Sequence, residues 1–179
     1  MSRLSRAALG GAVVALAVVG VVPVGHLVGE DPPASAGSVV TVVGILDGDT
    51  VLVAGDEALD VNRVRVLGVD APEMGHDGAP ADCWALQARE QLIRAAPVGS
   101  RAVLVPDSSQ RSVDRYGRLL RYLQVDDRDV GADLLEAGGA RTYWPAGDGE
   151  RASRYAQIAL RAQGAGRGIW GACPATPLR

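Results

Sequence analysis

Asp47-Gly48-Asp49-Thr50 is followed by the run Arg65 to Glu73, which reads RVLGVDAPE, and then by Asp114-Arg115-Tyr116-Gly117-Arg118. Asp49, Asp70 and Glu73 offer hard carboxylate oxygens, the ligands that suit Ca²⁺ or Mg²⁺ rather than a soft metal. Arg65 and Arg118 offer planar forks that match a phosphate bidentately and stay charged at any physiological pH. Acids that hold a cation, arginines that hold a phosphate and a further Glu that could accept a proton are the components of phosphodiester cleavage. Each group alone has a plainer reading. Asp-Gly is a common hairpin turn, and a single strand arginine is usually a solvated charge. Their coincidence at the ends of short hydrophobic runs is the informative feature. Asp47-Gly48-Asp49 is not an EF-hand, because the loop lacks the later acids and terminal Glu.

Other chemistries are disfavoured by what the chain lacks. Beyond the N-terminal segment His76 is the one histidine, too few nitrogen ligands for a zinc centre. The net charge of -3 argues against an electrostatic grip spread over the whole surface, so phosphate binding has to be local. All 18 basic residues are arginine, a bias better explained by a GC-rich coding sequence than by a phosphate-binding adaptation.

The N-terminus reads as a targeting segment. Arg3 and Arg6 precede an apolar run from Ala7 to Val24, Asp31-Pro32-Pro33 breaks it, and Ala34-Ser35-Ala36 has the small-x-small cleavage pattern. Residues 1–36 are therefore expected to be a cleaved signal peptide, with a retained membrane anchor over residues 7–28 as the alternative. Either reading puts residues 37–179 outside the cytoplasm. Two cysteines suit that compartment, and a Cys83–Cys173 disulfide is expected. Two unrelated buried thiols are the alternative.

The elements that must position these residues are short. Val39–Leu46 and Val51–Ala54 read as strands joined through the Asp47-Gly48 turn. Leu59–Leu67 is a third strand, with Arg63 and Arg65 on the face opposite Val64 and Val66. A helix is expected from about Pro80 to Ala96, then strands over Arg101–Val105 and Gly117–Val125. Asp129 can N-cap a helix over 130–137 that Gly138 stops. A last helix is marked by Ala152, Tyr155, Ala156, Ala159 and Leu160. The fold class expected is α+β, mainly β, with five strands in an OB-fold barrel and about three helices. An α+β sandwich has the same strand count.

The three motifs, with Gly168-Ile169-Trp170 near the end, resemble the staphylococcal nuclease (thermonuclease) family over roughly residues 39–173. The resemblance implies an OB-fold endonuclease that uses Ca²⁺, although the ligand types alone also allow Mg²⁺ or Mn²⁺. It implies Asp49, Asp70 and the backbone carbonyl of Ala71 as metal ligands, where the family's best-known member has Thr at the last position. Asp47 and Thr50 would lie just behind them. Glu73 would activate water, and Arg65 and Arg118 would hold the phosphate. Arg115, Tyr116 and Tyr143 are candidates for contacting substrate; the aromatics, and Trp144, could equally pack in the core. The expected substrates are DNA and RNA, single strands preferred, cut with little sequence preference to leave 3′-phosphates. A monomer with no obligate protein partner is expected. A non-catalytic OB-fold module that binds nucleic acid is the competing reading. A purely structural domain would give the acids and arginines no reason to coexist.

Overall fold

The computed structural model describes residues 37–55, 61–75 and 78–173. The expected signal or anchor segment, the start of the third strand at Leu59, and His76 lie outside the described residues. None of the described helices is long and apolar enough to cross a membrane.

Five strands close on themselves. β1 (Ser38–Ile45) pairs antiparallel with β2 (Thr50–Gly55), and β2 with β3 (Val61–Val66). β1 also pairs with β5 (Arg101–Val105), and β5 with β6 (Leu119–Val125). A parallel ladder between β3 and β6 closes the ring. The result is the mixed five-stranded barrel of the OB type, as expected, rather than the sandwich. β1 serves two neighbours through its two edges, β5 along Ser38–Thr41 and β2 along Val40–Ile45, and a bulge between Val42 and Gly44 adds the bend that closure needs. Val42, Val51, Val53, Val64, Val66, Leu104 and Leu123 are almost wholly removed from solvent and belong to one continuous core. Burying side chains of this size stabilises by roughly 1.5–3 kcal/mol each relative to exposure, before conformational entropy is charged against it.

The helices cover this barrel. α1 (Ala85–Ala95) buries Ala85, Ala88 and Leu92, which with Ala81 are the residues whose i, i+4, i+7, i+11 spacing predicts one apolar helix face. It starts at Ala85 rather than near Pro80, because Trp84 takes a left-handed φ of 73° and ends the preceding loop. α2 (Val130–Glu136) follows the two-residue strand β7 (Arg128–Asp129) and is capped as expected, with Ala132 N–H donating to Asp129 Oδ1 at 3.2 Å. The same carboxylate accepts from Tyr155 Oη at 2.6 Å and pairs with Arg151 and Arg154, so one acid ties α2 to α3 (Ala152–Gly164). α4 (Ile169–Ala172) is a single turn. Cys83 and Cys173 form the expected disulfide, with Cα atoms 5.9 Å apart. Closing a loop of that length restricts the unfolded chain by roughly 4–5 kcal/mol in the chain-entropy picture.

Three features depart from the sequence reading. Arg65 does not lie on a solvated strand face; it is 7% exposed, because two carboxylates receive it. The third strand ends at Val66, and a further short strand not expected from the sequence follows it. Gly68, at φ 82°, turns the chain out of β3 into β4 (Gly68–Asp70), which pairs with a short strand missed in the sequence, β8 (Arg141–Tyr143). A Cβ at Gly68 would come within 2.7 Å of Tyr155 ring atoms and 2.6 Å of Trp144. Trp144 itself is partly buried and packs against Tyr122 and Tyr155, at 6.4 and 5.9 Å between ring centroids, at the margin of the core.

A polar knot lies behind β6. The buried Asp107 accepts from Ser109 Oγ at 2.6 Å and Glu150 N–H at 2.9 Å, and also from the Tyr122 hydroxyl. Burial alone would raise its pKa. The bonds from Ser109, Tyr122 and Glu150 outweigh burial and leave it below the ordinary 3.8. A depressed folded pKa means stability that is present above pH 3.8 and lost as pH falls through the folded value. The stability difference between wild type and Asp107→Asn should therefore be largest near neutrality and shrink below about pH 4. Urea denaturation at a series of pH values measures this, and a pH-independent difference would contradict it. Gly68→Ala should destabilise by about 1–3 kcal/mol, read in the same assay at neutral pH.

Candidate active site

Asp49 is the centre of the arrangement. It is 3% exposed, in the turn between β1 and β2. The turn can sit this deep because residue 48 is glycine: a Cβ there would lie 2.6 Å from that of Ala71 and 2.8 Å from that of Ala88. The hydrogen bonds around Asp49 are fully specified. Thr50 Oγ1 donates to its Oδ1 at 2.9 Å, Ala71 N–H donates to its Oδ2 at 3.1 Å, and Arg65 Nη1 pairs with Oδ2. Arg65 Nη2 reaches Asp70 Oδ1 at 2.7 Å. One guanidinium from β3 thus joins the β1–β2 turn to the end of β4. The two carboxylates hold Arg65 firmly in its charged form, more than offsetting its burial.

Arg118 arrives from the other side. Asp114 organises a tight turn, with Oδ1 accepting from Tyr116 N–H at 2.9 Å and Arg118 N–H at 3.0 Å. Its Oδ2 accepts from Arg118 Nε at 2.7 Å, which leaves the Nη1 end 3.4 Å from Thr50 Oγ1. Burial acts to raise the Asp114 pKa, but the bonds from Arg118 and Tyr116 win and lower it. β6 begins only at Leu119, so Arg118 sits on the turn before the strand rather than in it. Arg115 and Arg118 both approach the ring of exposed Tyr116, at 4.7 and 5.5 Å from its centroid.

These groups open on a cleft of about 420 Å³. Arg65, Asp70, Ala71, Glu73, Arg115, Arg118 and Tyr143 all line it, with Arg65 lying 5.7 Å from the Tyr143 ring centroid. Asp47, Asp49, Thr50 and Tyr116 are not among its lining residues; Asp49 and Thr50 join it through their bonds to Arg65 and Arg118, and Tyr116 through its contact with Arg115 and Arg118. The disulfide borders the cleft through both of its cysteines. Two charged residues that the motifs did not single out also line it, Asp82 and Arg141. Arg141 is opposite Asp70 in the β4–β8 ladder, so only the unrecognised strand β8 could have revealed it. Asp82 lies in the loop before α1 and carried no periodic signal.

The acids outnumber the cations in their midst. Asp47 is pushed up to about 6, by burial first and then by the negative charge of Asp49. Glu73 is also raised, because its carboxyl is partly withdrawn from solvent and faces Asp49, with Arg65 opposing. Among the described residues no three His, Cys, Asp or Glu side chains converge as a complete metal cage. The donors present are two carboxylates, Asp49 and Asp70, with the Ala71 backbone beside them, and all are hard oxygens. A divalent cation fits the chemistry of that hard-oxygen set, and would oppose the repulsion from Asp49 that adds to burial in raising Asp47 and Glu73.

The fold is thus a closed OB-type barrel with carboxylates and arginines gathered in one cleft. The sequence profile described as "Staphylococcal nuclease homologue" matches residues 63–172, more than half the chain, and the protein belongs to that family. Asp47 to Thr50 lie just upstream of the matched span. Curated relatives include "Probable endonuclease LCL3" of Clavispora lusitaniae, 34% identical over 114 residues, covering 60% of this chain and 47% of the relative. The protein of that name from Schizophyllum commune is 36% identical over 121 residues, covering 60% of this chain and 40% of its own. A third, from Debaryomyces hansenii, is 34% identical over 122 residues, covering 64% and 48%. The chain thus spans about half the length of these relatives, or less.

Arg65 is a structural group as well as a site group. Arg65→Gln should destabilise the protein by about 3–5 kcal/mol, because Asp49 would be left buried with its charge uncompensated. Arg118→Gln, on a partly exposed turn, should cost about 1 kcal/mol or less. Urea titrations at pH 7 compare the two, and equal losses would contradict this account of Asp49.

Proposed function

We propose that the protein is an exported, metal-dependent endonuclease that hydrolyses phosphodiesters of DNA and RNA with little sequence preference, acting best on single strands. Convergence of Asp49, Asp70, Glu73, Arg65 and Arg118 around one cleft carries the reading, in a chain of the staphylococcal nuclease family. The endonuclease names of the relatives support it. The disulfide supports an oxidising compartment, hence a secreted or membrane-anchored location.

The chemistry follows from the residues. Asp49, Asp70 and the Ala71 carbonyl would hold the cation, with Ca²⁺ the first candidate; once bound it supplies a positive charge beside a phosphate oxygen and helps fix the attacking water. Arg65 retains N–H groups beyond the two given to Asp49 and Asp70, since a guanidinium has five. Those and the Nη end of Arg118 would donate to the non-bridging phosphate oxygens, most strongly as negative charge builds in the transition state. Glu73 would accept the proton of the water that attacks phosphorus. Its raised pKa makes it a better proton acceptor than an ordinary carboxylate. The new P–O bond forms from water, the bond to the 5′ oxygen breaks, and that oxygen leaves as a hydroxyl once protonated. The 3′-phosphate remains on the other fragment. Tyr143 and Tyr116, at and beside the cleft, would stack on bases.

The test is cleavage of single-stranded DNA, duplex DNA and RNA by the full chain with its disulfide intact, with Ca²⁺, with Mg²⁺, with Mn²⁺ and with chelator. Expected is metal-dependent cleavage that chelator abolishes and that Glu73→Gln lowers by roughly 10²-fold or more, with the thermal midpoint retained. No cleavage with any metal, by folded protein that still binds single strands, would favour a non-catalytic binding module instead.

A further inference from the structure

Glu73 lies in a loop with little regular structure, yet its backbone is held twice by one residue. Glu73 N–H donates to Asp82 Oδ2 at 3.2 Å, and Asp82 N–H donates to the Glu73 carbonyl at 2.9 Å. The reciprocal pair closes residues 73–82 at their base. Within that loop the backbone of Gly75 packs so closely that a Cβ would lie 2.1 Å from the Ala79 carbonyl oxygen and 2.8 Å from Ala81 N. Pro72 fixes φ immediately before Glu73.

The other end of the clamp is anchored independently. The Asp82 carbonyl accepts from Ala85 N–H at 3.1 Å, at the start of α1. The next residue, Cys83, is bonded to Cys173 beyond α4. Trp84 then adopts φ 73°, a conformation that a bulky residue holds only where its surroundings over-determine it, and such positions gather at functional sites. Glu73, Asp82, Cys83 and Cys173 all line the cleft.

We propose that Asp82, anchored through the Cys83–Cys173 disulfide, is a positioning residue for Glu73: its two hydrogen bonds fix the backbone from which the Glu73 carboxylate reaches the cleft. The proposal rests on the nuclease reading for its catalytic consequence, though not for its structural content. The clamp replaces the ordering that a helix or strand would give a catalytic side chain. A small displacement of such a group is enough to cost about 10²-fold in rate, so a ten-residue loop cannot be left unbraced around it.

Two readouts on the full chain test it. The first is amide hydrogen exchange over residues 71–84. Asp82→Ala should speed exchange at the Glu73 and Asp82 amides by about 10-fold or more while the barrel strands keep their protection. Asp82→Asn keeps an acceptor oxygen and should stay near wild type. The second is steady-state cleavage of single-stranded DNA. Asp82→Ala should lower kcat about 10-fold with KM changed less than about 2-fold, Asp82→Asn should restore most of the rate, and in a Glu73→Gln background Asp82→Ala should cost almost nothing more. The paired Cys83→Ser and Cys173→Ser protein should show the same local rise in exchange to a lesser degree. Unchanged exchange in Asp82→Ala overturns the clamp. Faster exchange with an equal rate loss in both Glu73 backgrounds overturns its action through Glu73. A wild-type protein that cleaves nothing would instead refute the nuclease reading, while the exchange data would still decide whether the clamp orders Glu73. If Asp82→Ala fails to fold, the same comparison is made on the double serine variant.

Discussion

A carboxylate placed in the interior is stable only where donors and an opposite charge surround it, and Asp49 is such a group. Satisfying it constrains four separate pieces of chain. The turn must be tight enough to carry it inward, which needs Gly48 against Ala71 and Ala88. β2 must begin with a hydroxyl, Thr50. β3 must deliver an arginine from a strand position that would otherwise be apolar. The residue after Asp70 must present its N–H. Once these are met, Asp70 is held by the second arm of Arg65 and Glu73 follows three residues later. The site is therefore a consequence of neutralising one buried charge, and the barrel is the frame that brings the pieces together from distant parts of the sequence.

The same constraint explains why the acids are only partly compensated. Arg65 is shared between two carboxylates, and Arg118 is largely committed to Asp114 through its Nε. Burial first, and then repulsion from Asp49, push the carboxyls of Asp47 and Glu73 above the ordinary carboxylate range. A site frustrated in this way is suited to take up a cation, since binding would relieve a repulsion already present. Around Asp129, by contrast, the acid is fully compensated, because Arg151 and Arg154 both attend one carboxylate.

Much of this was legible in the sequence, and what was not has identifiable causes. Alternating hydrophobicity located β1, β2, β5 and β6, and the Asp129 cap located α2, because each is encoded within a few neighbouring residues. The motif residues Arg65, Asp70, Ala71, Glu73 and Arg118 do line one cleft, and Asp49 supports them from behind. The two-faced reading of β3 failed at Arg65, because periodicity assigns a charge to solvent and cannot see a partner sixteen residues away. β4 and β8 were missed because three-residue strands have no period to detect, and their pairing depends on a glycine that breaks a continuous apolar run. Asp107, Asp82 and Arg141 were missed for a related reason. Each acts through partners far away in the chain or through backbone groups, and neither leaves a local pattern.

The low net charge then bears on how a polynucleotide would be held. Cleft arginines that are already paired project a weaker field than free ones, and a chain of net charge -3 adds no general attraction. On the proposed reading, little binding energy is available along the phosphates remote from the reacting one. What remains would be concentrated where Arg65 and Arg118 meet the scissile phosphate, with Asp49, Asp70 and the Ala71 carbonyl as the groups that would hold a cation to add positive charge there. Interactions that strengthen as the transition state forms raise the rate, whereas uniform binding of substrate and transition state only lowers KM. A weakly attracting surface around a densely charged, rigidly braced centre is thus consistent with catalysis that does not depend on tight binding, and it makes the exact placement of a few side chains matter more than the overall charge of the protein.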